Sequence, residues 1–308
     1  MSDQAQILRG MMERRCEAAL ADPPCDSASG ARTVALTSGK GGVGKSNIAL
    51  NLAIALQQAG QGVCLLDANL GLGNIDLLCG LNGYWNLGHV ISGARTVADI
   101  VLDGPAGVHV VPGASGLLDL ADSSPAAQRD ILTQLEELER QHDFLILDTG
   151  TGIHRTVRRF VAAAETVLVV TTPEPTAIAD AYATLKALAA GRDLVQPQIL
   201  VNLAESPEQA REIISRVQQT ARAFLRLNVI SAGFIPRDPA VPQAVWQREP
   251  FFASQPRCPA GRAIEQLARR LIQLNPSVVD RRSFFGRFGP GDFSTINEKT
   301  QFSGDDSR

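Results

Sequence analysis

Short apolar runs alternate with longer segments of helical periodicity along most of the chain. The apolar runs, which predict strands, cover residues 34–37, 63–66, 108–111, 144–147, 167–171, 199–202 and 229–234. The periodic segments, which predict helices, cover residues 45–59, 125–141, 176–190, 207–225 and 261–274. This alternation predicts an α/β fold with a doubly wound, mostly parallel sheet and helices on both faces. Because it continues from residue 34 to residue 274 without a break in composition, one domain is favoured over two.

Two segments flank this predicted domain. Before it, apolar residues recur at about helical spacing across residues 4–20, and the pattern stops at Asp22-Pro23-Pro24. After it, the chain becomes rich in Gly, Ser, Asp and Arg, and we predict no packed structure beyond about Gly289. The expected organisation is an N-terminal helical motif at 1–21, a linker at 22–30, a domain at 31–275 and a tail at 276–308.

Composition and charge narrow the classes of function. The net charge of −3 and the isoelectric point near 5.9 give no global reason to expect nonspecific binding to nucleic acid. Five cysteines are scattered without a Cys-x-x-Cys pair, which argues against a disulfide framework or an iron–sulfur scaffold. The polar N-terminus lacks a secretory signal, and no apolar run approaches the roughly 20 residues needed to span a bilayer. A globular cytoplasmic protein is therefore expected.

A glycine-rich segment joins the first predicted strand to the first predicted helix. It reads Gly39-Lys40-Gly41-Gly42-Val43-Gly44-Lys45-Ser46 and is followed by Asn47. Glycines there let backbone N–H groups close around phosphates, the helix N-terminus adds a favourable potential, and Lys45 reaches the terminal phosphates. Ser46 is expected to bind Mg²⁺ through its hydroxyl. The segment also fits the dinucleotide pattern G-x-G-x-x-G, but Lys45-Ser46 directly after the last glycine favours a nucleoside triphosphate.

A carboxylate follows the apolar run at residues 144–147. Asp148 is expected to hold Mg²⁺ there, and Thr149-Gly150-Thr151-Gly152 to form a switch that senses the γ-phosphate. A lone aspartate at the end of a strand is often merely a helix cap. Its place in a chain that also carries a phosphate loop favours the metal interpretation.

The segment from Lys40 to Ser46 resembles the deviant Walker A signature of the MinD/ParA family of ATPases. This resemblance implies ATP and Mg²⁺ as ligands. In that family the extra lysine, here Lys40, reaches across an ATP-dependent homodimer to the partner's phosphates, and a solvated loop lysine is the alternative. The resemblance also implies an adenine pocket formed by Asn202 and by Pro236 and Asp238 in the loop after the last predicted strand.

One position departs from the family pattern. Family members carry Asp-x-Asp after the second strand, the second aspartate orienting the attacking water, whereas this chain has Asp67-Ala68-Asn69. Asp67 stays available near the metal, but the amide of Asn69 cannot take up a proton. Weak ATP hydrolysis is therefore expected, with Lys40, Lys45, Asp67 and Asn69 as catalytic candidates. The alternative is that Asn69 positions water as well as an aspartate does.

Within this family the chain is most similar to the flagellar number regulators FlhG and FleN. The similarity is closest at residues 71–81, 148–153 and 241–245, and it covers nearly all of residues 3–275. The N-terminal run Asp3-Gln4-Ala5-Gln6-Ile7-Leu8-Arg9 matches a motif through which that group engages the GTPase FlhF and stimulates its GTP hydrolysis. The resemblance implies that Asp3, Gln4, Ile7, Leu8 and Arg9 bind this partner, with Ile7 and Leu8 as apolar anchors. The alternative is a helix that packs on its own domain.

The tail places aromatic residues beside basic ones at residues 281–288. Family members bind membranes through a C-terminal amphipathic segment, so this stretch is a candidate for peripheral contact with the inner face of the cell membrane. A disordered tail is the alternative.

The leading hypothesis is a cytoplasmic ATP-dependent switch that dimerises on ATP and regulates flagellar number or placement through an FlhF-type GTPase. Other flagellar components or a transcription regulator are further candidate partners. One rival is a non-hydrolysing adaptor, which Asn69 supports. Another is a partition-type ATPase that binds DNA nonspecifically, and the acidic net charge and the N-terminal motif count against it.

Overall fold

Eight strands form one sheet in the computed structural model, which describes residues 30–69, 73–113, 123–152, 155–190, 196–274, 283–289 and 292. The strands are β1 (Arg32–Ser38), β2 (Val63–Ala68), β3 (Leu102–Asp103), β4 (His109–Val111), β5 (Phe144–Thr151), β6 (Thr166–Thr171), β7 (Gln198–Ala204) and β8 (Ile230–Pro236). Their spatial order is β3-β4-β2-β5-β1-β6-β7-β8. All pairs are parallel except β3 with β4. The predicted doubly wound, mostly parallel sheet is confirmed.

Helices cover both faces of this sheet. Those in the described ranges are α1 (Lys45–Gln58), α2 (Ile75–Leu78), α3 (Leu87–Ile91), α4 (Val97–Ile100), α5 (Pro125–Glu139), α6 (Arg155–Ala163), α7 (Pro175–Ala189), α8 (Pro207–Thr220), α9 (Ala240–Gln247), α10 (Phe251–Ser254) and α11 (Pro259–Gln273). One core lies between the sheet and α1, α10 and α11, and the other between the sheet and α5 to α8. None of these helices is long and apolar enough to cross a membrane.

Within the described residues, each predicted strand and helix is present, with small differences at the ends. The predicted helix at 207–225 ends as an α-helix at Thr220 and continues as a π-helical turn, Ala221–Leu225. The patterns missed β3, α6, α9 and the short helices α2, α3, α4 and α10. A helix of four or five residues makes little more than one turn, so it leaves no periodicity to detect.

The C-terminal residues 283–289 pack onto the domain, although the domain was predicted to end at residue 275. Phe284 and Phe285 are 1% and 3% exposed, and Phe284 stacks on Phe160 of α6 with ring centroids 5.8 Å apart. The buried carboxylate of Glu139, at the end of α5, accepts the backbone N–H groups of Phe284 (2.7 Å) and Phe285 (3.1 Å). These aromatic residues belong to the core. The expectation that residues 281–288 present them to a membrane is therefore wrong for Phe284 and Phe285.

Several expectations fall on residues outside the described ranges. They are the N-terminal motif at 1–21, all of the linker except Gly30, residues 70–72 after Asn69, residue 275 at the end of the predicted domain, and the tail at 276–282, 290–291 and 293–308.

Candidate functional site

The carboxyl ends of β1, β5 and β2 lie side by side in the sheet. Asp67 of β2 is the register partner of Asp148 of β5, and β1 runs directly into the glycine-rich loop before α1. In open α/β sheets, ligands bind outside the carboxyl ends of the strands. The sheet therefore brings the predicted phosphate loop and both predicted metal ligands to one place.

The loop requires glycine at Gly42, whose φ is 78°, and at two further positions. Gly44 precedes α1 with a φ of 86°, and a Cβ there would lie 2.4 Å from Asn202 Nδ2. A Cβ on Gly39 would lie 2.3 Å from the carbonyl oxygen of Asp180 on α7. No side chain caps the N-terminus of α1, and its first turn carries no acidic residue. The N–H groups of that turn are thus suited to an anion such as phosphate.

Lys45 and the two aspartates form a buried charged cluster at the base of the loop. Lys45 Nζ lies 2.5 Å from Asp148 Oδ1, and the two side chains are 5% and 1% exposed. Asp67 accepts the backbone N–H groups of Asn69 (3.1 Å) and Ile75 (3.4 Å). Burial, and secondly the charge of Asp148, raise the pKa of Asp67 to about 7. Lys45 thus pairs directly with Asp148 and acts on Asp67 only through its charge.

This cluster fits a divalent cation. The hydroxyl of Ser46 and the carboxylates of Asp67 and Asp148 are hard oxygen donors, which Mg²⁺ prefers. A cation there would also offset the repulsion from Asp148, which after burial is the second cause of the raised pKa of Asp67.

The predicted switch segment is joined to the strand that leads into the phosphate loop. Thr149 Oγ1 donates to the carbonyl oxygen of Leu36 (2.8 Å), and Gly152 N donates to that of Ser38 (3.0 Å). Ser38 Oγ in turn donates to the carbonyl oxygen of Lys40 (3.0 Å). A displacement of the switch would therefore reach the loop through direct hydrogen bonds.

A cavity of about 520 Å³ adjoins the phosphate loop. Gly44 and Asn47 form its loop side, and Asn202, Arg237 and Val241 lie on its other walls. Asn202 Nδ2 donates to the carbonyl oxygen of Val43 in the loop (2.8 Å). This bond uses one of the two N–H donors of the amide, so its second N–H and its oxygen remain able to bond a base that enters the cavity.

The structure places two further predicted adenine contacts. Asp238 lines the cavity, but its carboxylate accepts the backbone N–H groups of Ala240 and Ala260, each at 2.9 Å. Burial raises the pKa of Asp238, but these donors outweigh it and the net shift is downward. Asp238 therefore fixes the starts of α9 and α11, and base recognition by its side chain stays a prediction. Pro236 lines a separate cavity of about 370 Å³ between β8 and α11.

Lys40 lies apart from the buried cluster. Its Nζ is ion-paired with Glu174 and donates to Thr176 Oγ1 (3.1 Å), both at the start of α7. The side chains of Lys40 and Glu174 are 37% and 62% exposed, so the pair is worth little in stability and is easily exchanged. The sequence did not predict that Glu174 pairs with Lys40. A glutamate before a helix is common, and nothing in its spacing points to Lys40.

A family model described as the CobQ/CobB/MinD/ParA nucleotide binding domain matches residues 34–251 of this chain. The match covers well over half of the sequence and includes most of β1, the phosphate loop, the charged cluster and the cavity. This chain therefore belongs to the CobQ/CobB/MinD/ParA family of nucleotide-binding domains, and the predicted resemblance is confirmed.

Individual relatives place the chain more narrowly. It is 38% identical over 240 residues to the antiactivator FleN of Pseudomonas aeruginosa, a match covering 78% of this chain and 86% of FleN. It is 32% identical over 271 residues to the flagellum site-determining protein YlxH of Helicobacter pylori, covering 85% and 91% of the two chains. The septum site-determining protein MinD of Pyrococcus horikoshii, solved with Mg-ADP, shares the fold with a TM-score of 0.64 at 22% identity, covering 79% of this chain and 96% of that one.

Proposed function

We propose that this protein is an ATP-dependent molecular switch that regulates the number or placement of flagella. The observation that carries the proposal is the meeting of the glycine-rich loop, buried Lys45 and two buried aspartates at one end of the sheet. YlxH, a flagellum site-determining protein, supports the flagellar role. FleN, an antiactivator, supports a regulatory role.

Each part of the site has a role in binding Mg-ATP. Lys45 and the first turn of α1 bind the phosphates, and Ser46, Asp67 and Asp148 hold Mg²⁺. The metal supplies positive charge where the phosphates and carboxylates meet. Asn202 selects adenine. Its hydrogen bond to the carbonyl oxygen of Val43 connects the base side of the cavity to the phosphate loop.

ATP binding is proposed to create a homodimer in which Lys40 contacts the partner's phosphates. Lys40 is half-exposed whereas Lys45 is buried, which suits separate roles for the two lysines. Lys40→Ala should keep most of the ATP affinity of the monomer but abolish the ATP-dependent dimer. Light scattering on a sizing column with ATP or ADP measures this, with Lys186→Ala, an exposed lysine on α7, as the control. A normal dimer of the Lys40 variant would refute the cross-subunit role.

The N-terminal motif is proposed to stimulate an FlhF-type GTPase. Its support is the match of Asp3 to Arg9 to that group's motif, set apart from the ATPase domain by a linker. Deleting residues 1–20 should leave ATP binding unchanged and eliminate stimulation of GTP hydrolysis. Full stimulation by the truncated protein would remove this part of the proposal.

Asn69 is proposed to keep ATP hydrolysis slow. It follows β2 directly, and its N–H donates to Asp67 in the charged cluster. Asn69→Asp should raise the single-turnover rate with little change in ATP affinity. A general base contributes about 10²- to 10⁴-fold, of which a site adapted to asparagine recovers a part. Equal rates in the two proteins would show that Asn69 does not limit hydrolysis.

Asn69 also favours a second candidate, a non-hydrolysing adaptor whose ATP-bound form is a scaffold. The single-turnover measurement separates the two. Hydrolysis by the wild-type dimer supports the switch. A wild-type dimer that keeps its ATP intact over hours, also with the GTPase present, supports the adaptor.

A further inference from the structure

An exposed aromatic residue follows α8 at a position that helical periodicity would bury. The buried stripe of α8 includes Ala210 and Val217 and continues to Ala221. In a regular α-helix Phe224, three residues after Ala221, would return to this stripe. Instead the wider π-helical turn directs Leu225 toward the core and Phe224 to solvent. Phe224 is 77% exposed.

The surrounding backbone holds Phe224 in this outward position. The N–H of Leu227 donates to the carbonyl oxygen of Ala221 (3.2 Å), and Arg226 has a φ of 54°. Leu225 and Leu227 pack against the core, and Val229 is buried. A π-turn followed by a non-glycine residue with positive φ is an uncommon, strained arrangement of the kind found at functional sites. The exposure of Phe224 is thus a property of the fold.

The chain on both sides of this residue carries basic residues and no acidic ones. Residues 213–237 contain four arginines and no aspartate or glutamate, in a chain of net charge −3. Arg216, Arg222 and Arg226 are exposed. None of the three is among the ion pairs found within the described part of the chain. Ile230, 39% exposed, adds apolar area at the start of β8.

We propose that the Phe224 surface, defined as Phe224, Arg222, Arg226 and Ile230, docks on an anionic lipid bilayer. A protruding aromatic residue flanked by arginines suits the interfacial layer of a membrane, where the ring enters the boundary and the cations meet lipid phosphates. Peptides are instead recognised in grooves or along sheet edges. At the edge of β8 next to this surface, the carbonyl oxygen of Ser231 already accepts a hydrogen bond from Arg270 Nη1 (2.8 Å) and cannot pair freely with a peptide strand.

The position of this surface has a consequence for orientation. It lies at the amino end of β8, whereas the nucleotide cavity lies at the carboxyl ends of the strands. A domain docked through Phe224 would therefore keep its nucleotide cavity open to solvent. The proposal goes beyond the ATP switch and does not require nucleotide.

Vesicle sedimentation of the full chain tests the proposal. The wild type should bind vesicles that contain phosphatidylglycerol and not vesicles of phosphatidylcholine alone. Phe224→Ala should weaken binding about tenfold through lost apolar burial. The double change Arg222→Gln and Arg226→Gln should weaken it about fivefold per arginine. Since these side chains are exposed, thermal unfolding and ATP binding should stay at wild-type values.

Matched controls separate this surface from general effects. Trp246→Ala removes an exposed aromatic residue on α9, and Arg211→Gln with Arg269→Gln removes exposed arginines that are paired with glutamates. Both controls should bind vesicles like the wild type. In addition, Phe224→Trp should gain an emission component that shifts to shorter wavelength with anionic vesicles.

Three results would overturn the proposal. They are a wild type that ignores anionic vesicles, Phe224 and arginine variants that bind as well as the wild type, and controls that lose as much binding as the variants. The second result would assign membrane binding to another segment of the chain. If the Phe224→Trp protein sediments with vesicles while its added emission component stays unshifted, the same conclusion follows.

Discussion

Replacing Phe284 with alanine measures how much the C-terminal segment contributes to the stability of the domain. Phe284 is 1% exposed, and its ring lies 5.8 Å from that of Phe160, 5.0 Å from Phe285 and 5.2 Å from Phe288, between centroids. Truncating a buried phenylalanine costs about 3–5 kcal/mol. Since a domain is stable by about 5–15 kcal/mol, a loss of about 4 kcal/mol is a large fraction of the total.

Urea unfolding of the full chain measures this loss. The matched control is Phe224→Ala, which removes the same side chain from a site that is 77% exposed and should change the free energy of unfolding by less than about 0.5 kcal/mol. A loss below about 1 kcal/mol for Phe284→Ala would show that the segment contributes little to the core. The hypothesis that residues 281–288 contact a membrane would then regain its basis.

Further predictions concern the nucleotide site. Burial and the charge of Asp148 raise the pKa of Asp67 from 3.8 to about 7. The folded state therefore holds this proton more tightly than the unfolded state. The contribution of Asp67 to stability falls as pH rises from about 4 to about 7. Without Mg²⁺, the Asp67→Asn variant should therefore resist urea better than the wild type at pH 8 and lose this advantage toward pH 4. An advantage that does not vary with pH would contradict the raised pKa of Asp67. Asn202→Ala should weaken ATP binding about tenfold and reduce the preference for ATP over GTP, measured by calorimetry, and an unchanged preference would remove Asn202 from base recognition. Ser46→Ala should abolish the gain in ATP affinity on adding Mg²⁺ in the same assay, and a full gain would exclude its hydroxyl as a ligand.

The sequence predicted the parts of the fold and site that depend on local pattern. Each long helix and each buried strand has enough periodicity to be recognised, whereas β3 has two residues and is not buried. The phosphate loop is contiguous in the chain, so its spacing predicts its chemistry directly. Asp67 was placed near the metal with Asp148 by the resemblance to the MinD/ParA family, and the sheet brings the two side by side.

The remaining features depend on contacts between residues far apart in the chain. Asp238 matches its motif, but only the packing of α9 and α11 shows that its carboxylate is already bonded to their N–H groups. Phe284 lies in a polar, glycine-rich segment, and its burial depends on Glu139 and Phe160. Phe224 fits the buried stripe of its helix by spacing, and a π-turn that no local pattern announces directs it outward. For Asp238 and Phe284 a tertiary contact outweighs local sequence preference, and for Phe224 the π-helical turn does.

Calorimetric titration of Mg-ATP into the wild type and Lys45→Ala tests the central claim most directly. In the structure Lys45 is the buried cation at the base of the glycine-rich loop, 2.5 Å from Asp148. Its removal takes away the charge that faces the phosphates and leaves Asp67 and Asp148 without a cation. The account predicts saturable binding by the wild type and binding that is lost or at least about a hundredfold weaker in the variant. Equal affinities for the two proteins would show that this loop is not the phosphate site.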